Sequence, residues 1–250
     1  MRQFKLWNAA MTASFDFKTE GCLISDVAGL GINYNLTLKE NAVIGYVNEF
    51  PDVSLTVNFG IRTNPYAAFN SLAAFIAANG KTNLVLEYEV NGRTVYADVW
   101  VKSLPKSQKT NFGVLTETLV FARLTFWYTI EEGVIPTAPL TITNAVDDDL
   151  QLKVTIRAST PADFRIIVKE NGVTVSQVII PSQLIAGTLT TDPEHKSVLR
   201  DTAGSVTNGY NLISREGDTF LVLGKGTYTI NTNAAVTNPP LYRYKKWVVD

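Results

Sequence analysis

Cysteine and histidine each occur once in this chain, no apolar run is long, and neither sign of charge is in excess. A single Cys22 excludes an intrachain disulfide, so the fold must rest on a buried apolar core. For that, 250 residues with 46% hydrophobic content are ample. A lone His195 excludes a multi-histidine metal site within one chain, and any histidine-centred triad would have to be built on it. No stretch approaches the roughly 20 apolar residues that span a bilayer as a helix. The opening segment is interrupted by Asn8 and lacks a secretory apolar region, so the chain reads as soluble, with no membrane insertion. A formal charge of −1, from 22 basic and 23 acidic residues that are interspersed, gives no electrostatic footprint for nucleic acid. Long helical patterns are also scarce, while Thr, Asn and Val are plentiful, the balance of a sheet protein with many turns.

One helix stands out against that background. Asn64 is placed to cap its start and Pro65 suits the first helical position; Asn79-Gly80 offers a left-handed stop. Between them Tyr66, Phe69, Leu72 and Ile76, with Phe75 beside them, form an apolar stripe that must lie on an apolar surface. The following hairpin is expected to supply it. Leu84, Leu86, Tyr88 and Val90 alternate with polar residues, Asn91-Gly92 makes a tight turn, and Val95, Ala97, Val99 and Val101 alternate back. After a polar connection, a strand is expected from Leu115 to Tyr128, ended by Glu131-Glu132-Gly133, with apolar residues on both faces around Phe121, as in a covered core strand.

Pro136 and Pro139 bracket a segment that cannot donate normally to a ladder, and place a domain break between Glu131 and Pro139. Beyond it, Leu150–Ile156 alternates and Phe164–Val168 turns at Asn171-Gly172 into Val173 and Val175. Phe220–Leu223 is expected to return as Tyr228–Ile230 across Gly224-Lys225-Gly226. Paired short runs of this kind indicate a second sandwich. Thr190–Asn211 reads as loop with a brief strand at Ser197–Leu199.

The chemistry-bearing residues do not assemble into a catalytic or cofactor-binding pattern. His195 has Asp192 and Glu194 as neighbours, but Pro193 makes the segment a turn, where acids are common for backbone reasons. Cys22 has no activating base in sequence and precedes apolar Leu23 and Ile24, as a small buried side chain would. Ser103-Leu104-Pro105-Lys106 matches a bare Ser-x-x-Lys pattern without the helix start that chemistry requires. Asp147-Asp148-Asp149 lacks the glycine and closing glutamate of a calcium loop. Gly29-Leu30-Gly31 lacks the third glycine and the helix of a dinucleotide site, and Asn35-Leu36-Thr37 is a glycosylation pattern only for a secreted chain. Arg243, Lys245 and Lys246 interleave with Tyr242, Tyr244 and Trp247, but in a strand the tyrosines share one face while Arg243 and Lys245 share the other. Tyr210 with Asn208, Asn211 and Arg215 can be read as a sugar platform or as an ordinary turn. A carbohydrate-binding module therefore stays open as an alternative. No carboxylate pair of a glycosidase can be placed, and the expectation is a protein that is not an enzyme and takes no cofactor or metal.

A resemblance is carried by the opening Met1-Arg2-Gln3-Phe4-Lys5-Leu6-Trp7-Asn8, the Asp26-Val27-Ala28-Gly29-Leu30-Gly31 turn, the helix ending before Leu84, and the Leu-x-Leu-x-Tyr strand. Ser103-Leu104-Pro105-Lys106 and Phe126-Trp127-Tyr128 complete it. In this order and spacing, densest over residues 1 to 130, the chain resembles the distal tail proteins of long-tailed bacteriophages. The resemblance implies a mainly β fold of two β-sandwich domains. Residues 1–133 would be a tail-tube-like, ring-forming domain with one flanking helix, and 137–250 a galectin-like domain. It implies a homo-hexameric ring at the virion tail tip, assembled in the host cytoplasm, through which DNA passes without specific binding. The ring would join the tail tube protein to a tail-associated fibre or lysin protein, with a receptor-binding protein as a further partner. It also implies a long hairpin that embraces the neighbouring subunit, placed at Leu36–Tyr46 with Lys39-Glu40-Asn41 at its tip. Another tail tube protein is the related alternative.

Overall fold

The computed structural model describes residues 3–31, 33–39, 42–60, 64–90, 92–106, 113–157, 160–184 and 186–248, with 33–39, 42–49 and 90 described by their backbone. The chain divides into two compact units, Met1–Tyr128 and Thr129–Asp250. The fold is mainly β and antiparallel.

In the first unit the strands are β1 (Gln3–Trp7), β2 (Ser14–Asp16), β3 (Leu23–Ala28), β4 (Asn33–Lys39), β5 (Ala42–Glu49), β6 (Val53–Phe59), β7 (Leu84–Val90), β8 (Arg93–Ser103) and β9 (Leu115–Arg123), with α1 (Pro65–Asn79) after β6. Seven of them pair in the order β3-β6-β9-β8-β7-β1-β2. The period-2 pattern of β6 sends Val53, Leu55, Val57 and Phe59 inward, all fully buried. Register pairs Leu55 with Leu119 and Val53 with Phe121, while Leu86 lies between Leu6 and Ala97. Each such side chain contributes about 1.5–3 kcal/mol on burial.

The helix begins as its sequence predicts, with Asn64 Oδ1 accepting from the backbone N–H of Tyr66 and Ala67 at 3.0 and 3.3 Å. Its end differs. Gly80 has φ −80° and donates to the Ile76 carbonyl, while the Asn79 amide donates to that of Phe75, so side chain and backbone satisfy the last turn without a left-handed residue. The helix seats on β6 and β2, strands that precede it, with Phe69 edge-on to Phe59 at 5.5 Å. The expectation that it lies on the β7–β8 hairpin is corrected by this seating. That hairpin itself forms in the expected register; Gly92 has φ +76°, and Asn91 lies outside the described residues.

The expected strand from Leu115 to Tyr128 is two strands. β9 stops at Arg123, and Thr125 Oγ1 accepts the Asp98 N–H while the Leu124 N–H bonds the Asp98 carbonyl, so a side chain replaces the next rung of the ladder. Nor is β9 covered on both faces, since Leu115, Leu119, Phe121 and Arg123 are buried while Thr116 and Thr118 are exposed.

The second unit takes up β10 (Tyr128–Val134), β11 (Leu140–Asn144), β12 (Leu150–Arg157), β13 (Phe164–Glu170), β14 (Val173–Ile180), β15 (Thr188–Asp192), β16 (Ser197–Thr202), β17 (Ser205–Asn208), β18 (Leu221–Leu223), β19 (Gly226–Thr232) and β20 (Leu241–Trp247). One sheet runs β17-β16-β15-β12-β20, with β18 also on β12, and the other runs β11-β19-β13-β14. Ile142, Leu152, Val154, Phe164, Ile166 and Ile230 fill the core they share. The segment expected to be loop, Thr190–Asn211, holds three strands. They form a meander in which Leu189, Thr191 and Val198 point inward while Leu199 and Val206 are exposed, and Ala203-Gly204 closes its hairpin at φ +53° and +86°. The expected hairpin of Phe220–Leu223 with Tyr228–Ile230 is absent. β18 pairs with β12 and β19 with β11 and β13, so the glycine turn carries the chain from one sheet to the other.

Candidate functional site

Among the described residues, β4 and β5 pair only with each other, in a two-stranded sheet separate from the seven-stranded one. This hairpin is the one predicted around Leu36–Tyr46; the tip residues Glu40 and Asn41 lie outside the described residues. Its root is built by residues far away in sequence.

Arg123, the last residue of β9, follows Leu119 and Phe121 on the inward face and is only 4% exposed. Its guanidinium donates to the Leu30 carbonyl at 2.9 Å and to the Gly31 carbonyl, just ahead of β4. The same group lies over the Phe50 ring, just after β5, at 5.2 Å, and over Trp127 at 5.6 Å. Trp127 in turn donates its indole N–H to the Leu30 carbonyl at 2.8 Å, and Phe126 meets Phe50 edge-on. One cation thus grips both roots of the arm, through hydrogen bonds on one side and cation–π contact on the other. No carboxylate among the described residues pairs with it, and burial pulls its pKa down to about 10.

Next to this grip, Gly29 has φ +81° and runs against the backbone of Asp52, with Asp52 tied to Lys102 by an ion pair. Tyr128, directly after the aromatic turn, is buried and donates its hydroxyl to Asp98 at 2.8 Å. The break after β9 therefore serves the arm, because residues 124–127 leave the ladder and bring Trp127 to its root.

The other candidate residues lie apart from this site. His195 is largely exposed, with Nδ1 3.1 Å from Asp192, whose carboxylate is also held by Lys153 at 2.8 Å. Burial alone would raise the Asp192 pKa, but the hydrogen bond and charge of Lys153, joined by His195, hold it below the usual carboxylate range. Cys22 is half-buried and its thiol is pushed up to about 12, chiefly by burial and then by Glu20, against any role as a thiolate nucleophile. Lys106 leaves Ser103 behind and lies over the Tyr66 and Phe69 rings of α1. Asp147 pairs with Lys225 at 3.0 Å. Tyr210 is pinned in a turn, its N–H on the Asn208 side chain and its hydroxyl on the Lys196 carbonyl, with its ring edge-on to Phe220. Those bonds occupy its backbone N–H and its hydroxyl, while the residue stays 43% exposed. Tyr242 and Tyr244 stack on one face of β20, while Lys245 and Lys246 pair with Glu194 and Glu131. Sequence reasoning names Gly29 only within a turn and Trp127 only within the Phe126-Trp127-Tyr128 segment, and joins neither to Arg123 or Phe50; the signal for Arg123 is an arginine continuing the apolar face of β9.

Comparison with known proteins bears on the same region. The family model described as distal tail protein, N-terminal domain, matches residues 3–124. Among solved structures, the chain is similar to one in the phage p2 baseplate in its activated conformation, with strontium and again with calcium. Each shows TM-score 0.71 and 14% identity over 99% of both chains. It is also similar to the distal tail protein of phage SPP1, described as a paradigm of the hub adsorption apparatus in phages infecting Gram-positive bacteria. Here the TM-score is 0.58 and the identity 14%, over 98% of this chain and 99% of that one. A comparison with the sequences of curated proteins gives no significant match.

Proposed function

We propose, from the membership of residues 3–124 in the distal tail protein family, that copies of this chain close into a hexameric ring at the tip of a phage tail. The family is one of structural tail proteins, and the chain's role is structural in that sense. The ring forms through the leading domain, 1–133, by head-to-tail contacts that close under rotation. The β4–β5 arm is the element that reaches the neighbouring copy. The observation that carries this reading is that, among the described residues, the arm pairs with no other strand of its unit yet has a fixed root. A two-stranded ribbon is marginal alone in water and gains stability by lying on another surface.

Six copies leave a channel for DNA, and a chain without basic excess suits a lumen that must not retain phosphate. The trailing domain, 137–250, is galectin-like and projects from the ring as a platform for a receptor-binding protein, with β10 and the Pro136–Pro139 segment as the connection. The tail tube protein docks on one side of the ring and a tail-associated fibre or lysin protein on the other. Assembly takes place in the host cytoplasm and the protein ends in the virion tail tip. Native mass measurement of the full chain, alone and mixed with its tail partners, tests the reading. Six copies support it; a single copy under both conditions, with saturable binding of a cell-wall glycan, would replace it with the carbohydrate-binding one.

A further inference from the structure

Arg123 is costly where it stands. Burying a cation without a carboxylate partner is unfavourable, and even a complete buried ion pair can often be replaced by apolar side chains of similar volume without loss of stability. Two neighbours on the same face, Leu119 and Phe121, show what the pattern would place there. Two of its nitrogens nevertheless reach the Leu30 and Gly31 carbonyls, Nε is buried without a partner, and the guanidinium plane meets Phe50 and Trp127. All four contacted residues lie at the roots of the arm or in the turn that serves it. An apolar residue could fill the volume but could not hold two carbonyls on one side and two ring faces on the other in a fixed relation.

We infer that Arg123 is a positioning residue for assembly: it sets the direction in which the β4–β5 arm leaves the sheet, at the expense of the stability of its own unit. This rests on the ring reading above and adds a residue and a mechanism to it. The arm engages a second copy only when both roots are fixed, because a small rotation at the root becomes a displacement of many ångströms along strands of seven and eight residues. Trp127 and Phe50 are the walls of the grip, and Gly29 lets the root approach Asp52.

The test uses the full chain and the variants Arg123→Met and Arg123→Lys, with three readouts: thermal midpoint, hydrogen exchange at residues 29–31 and 50–52, and native mass. Arg123→Met is expected to keep or raise the midpoint, because the cost of burying the charge, which it removes, outweighs the two carbonyl bonds it loses. Exchange at the root should accelerate about tenfold or more, the loss of two charge-assisted bonds, and the six-copy species should disappear. Arg123→Lys keeps the charge but not the fork, and should also lose the ring. Variants that fold and still assemble as the wild type does overturn the proposal, as does unchanged exchange at the root. If wild type itself never exceeds one copy, the ring reading fails and takes this proposal with it. That outcome differs from failure of the clamp alone, in which wild type and both variants all form rings. If Arg123→Met does not fold, Arg123→Lys decides.

Discussion

Two glycines two residues apart at the root of the arm should respond very differently to the same substitution. At Gly29, φ is +81°, and a Cβ would sit 1.9 Å from the Asp52 carbonyl oxygen and 3.1 Å from Cα of Val53. The left-handed backbone costs an alanine about 1–2 kcal/mol. Carbon and carbonyl oxygen in contact sit at roughly 3.3 Å, so the Asp52 backbone must retreat by more than an ångström. Val53, next in sequence, is fully buried and anchors β6 between β3 and β9, so the retreat is resisted at a cost of about 1–3 kcal/mol. Loss of the Lys102–Asp52 pair, whose lysine is well exposed, adds at most about 1 kcal/mol. Gly29→Ala should therefore cost about 2–6 kcal/mol, a large part of the 5–15 kcal/mol typical of a domain. Gly31 has nothing within 4 Å of the same position, and Gly31→Ala keeps the carbonyl that Arg123 holds, so it should change stability by no more than about 0.5 kcal/mol. Urea unfolding followed by tryptophan fluorescence reads this unit selectively, since Trp7, Trp100 and Trp127 lie in it and only Trp247 lies in the other. With a urea slope of about 1–3 kcal/mol/M, Gly29→Ala should lower the midpoint by about 1 M or more. A Gly29→Ala midpoint equal to that of wild type, or a Gly31→Ala loss of the same size, would refute the reasoning.

Three further outcomes are expected. Asn64→Ala should cost about 1 kcal/mol by removing the helix cap, whereas Asn64→Asp should be neutral or gain a few tenths because the first turn holds no acid; equal midpoints for the two variants would contradict the capping geometry. Asp192 titrates below the usual carboxylate range when folded, so its contribution is present above the unfolded pKa and lost as pH falls through the lower folded value. Lys153→Met raises that folded value, and acid unfolding of the second unit, followed by circular dichroism, should begin at a higher pH; an unmoved acid midpoint would count against the pairing. With its thiol pushed up to about 12, Cys22 should react with a maleimide at mildly alkaline pH far more slowly than free cysteine, and at the ordinary rate once urea unfolds the chain; a fast native reaction would refute its burial.

What the sequence made legible was what local pattern controls. The cap at Asn64, the β7–β8 register and the β13–β14 hairpin at Asn171-Gly172 follow from turn chemistry and period-2 alternation, whereas the paired strands of the arm were expected only from the family resemblance. Misreadings arose where a side chain substitutes for backbone. Thr125 takes the Asp98 N–H and ends β9 early, although the apolar residues run on to Tyr128. The meander at Thr188–Asn208 reads as loop because polar Thr191 and Asp192 are buried while apolar Leu199 and Val206 are exposed, so its sequence shows no apolar-in, polar-out alternation. The glycine turn at 224–226 looked like a hairpin because local sequence does not say which sheet each strand joins. The arm's root was invisible for the same reason: Arg123 lies more than ninety residues from the carbonyls it holds.

The departures from local pattern in the first unit converge on one place. A cation on an apolar face, a strand cut short, a left-handed glycine against backbone and an aromatic turn are each unfavourable or neutral for the unit taken alone. Together they fix the two ends of a ribbon that pairs with no other strand among the described residues. If the ribbon's only task were to connect β3 to β6, a tight turn would do it, because Gly29 already brings the chain against Asp52, on the far side of the arm. The two strands are thus an excursion from a connection that is already closed at its base. Edge strands exposed without a partner invite uncontrolled pairing, and a root held by Arg123 restricts that pairing to surfaces lying in one direction, as a closed ring of identical copies requires.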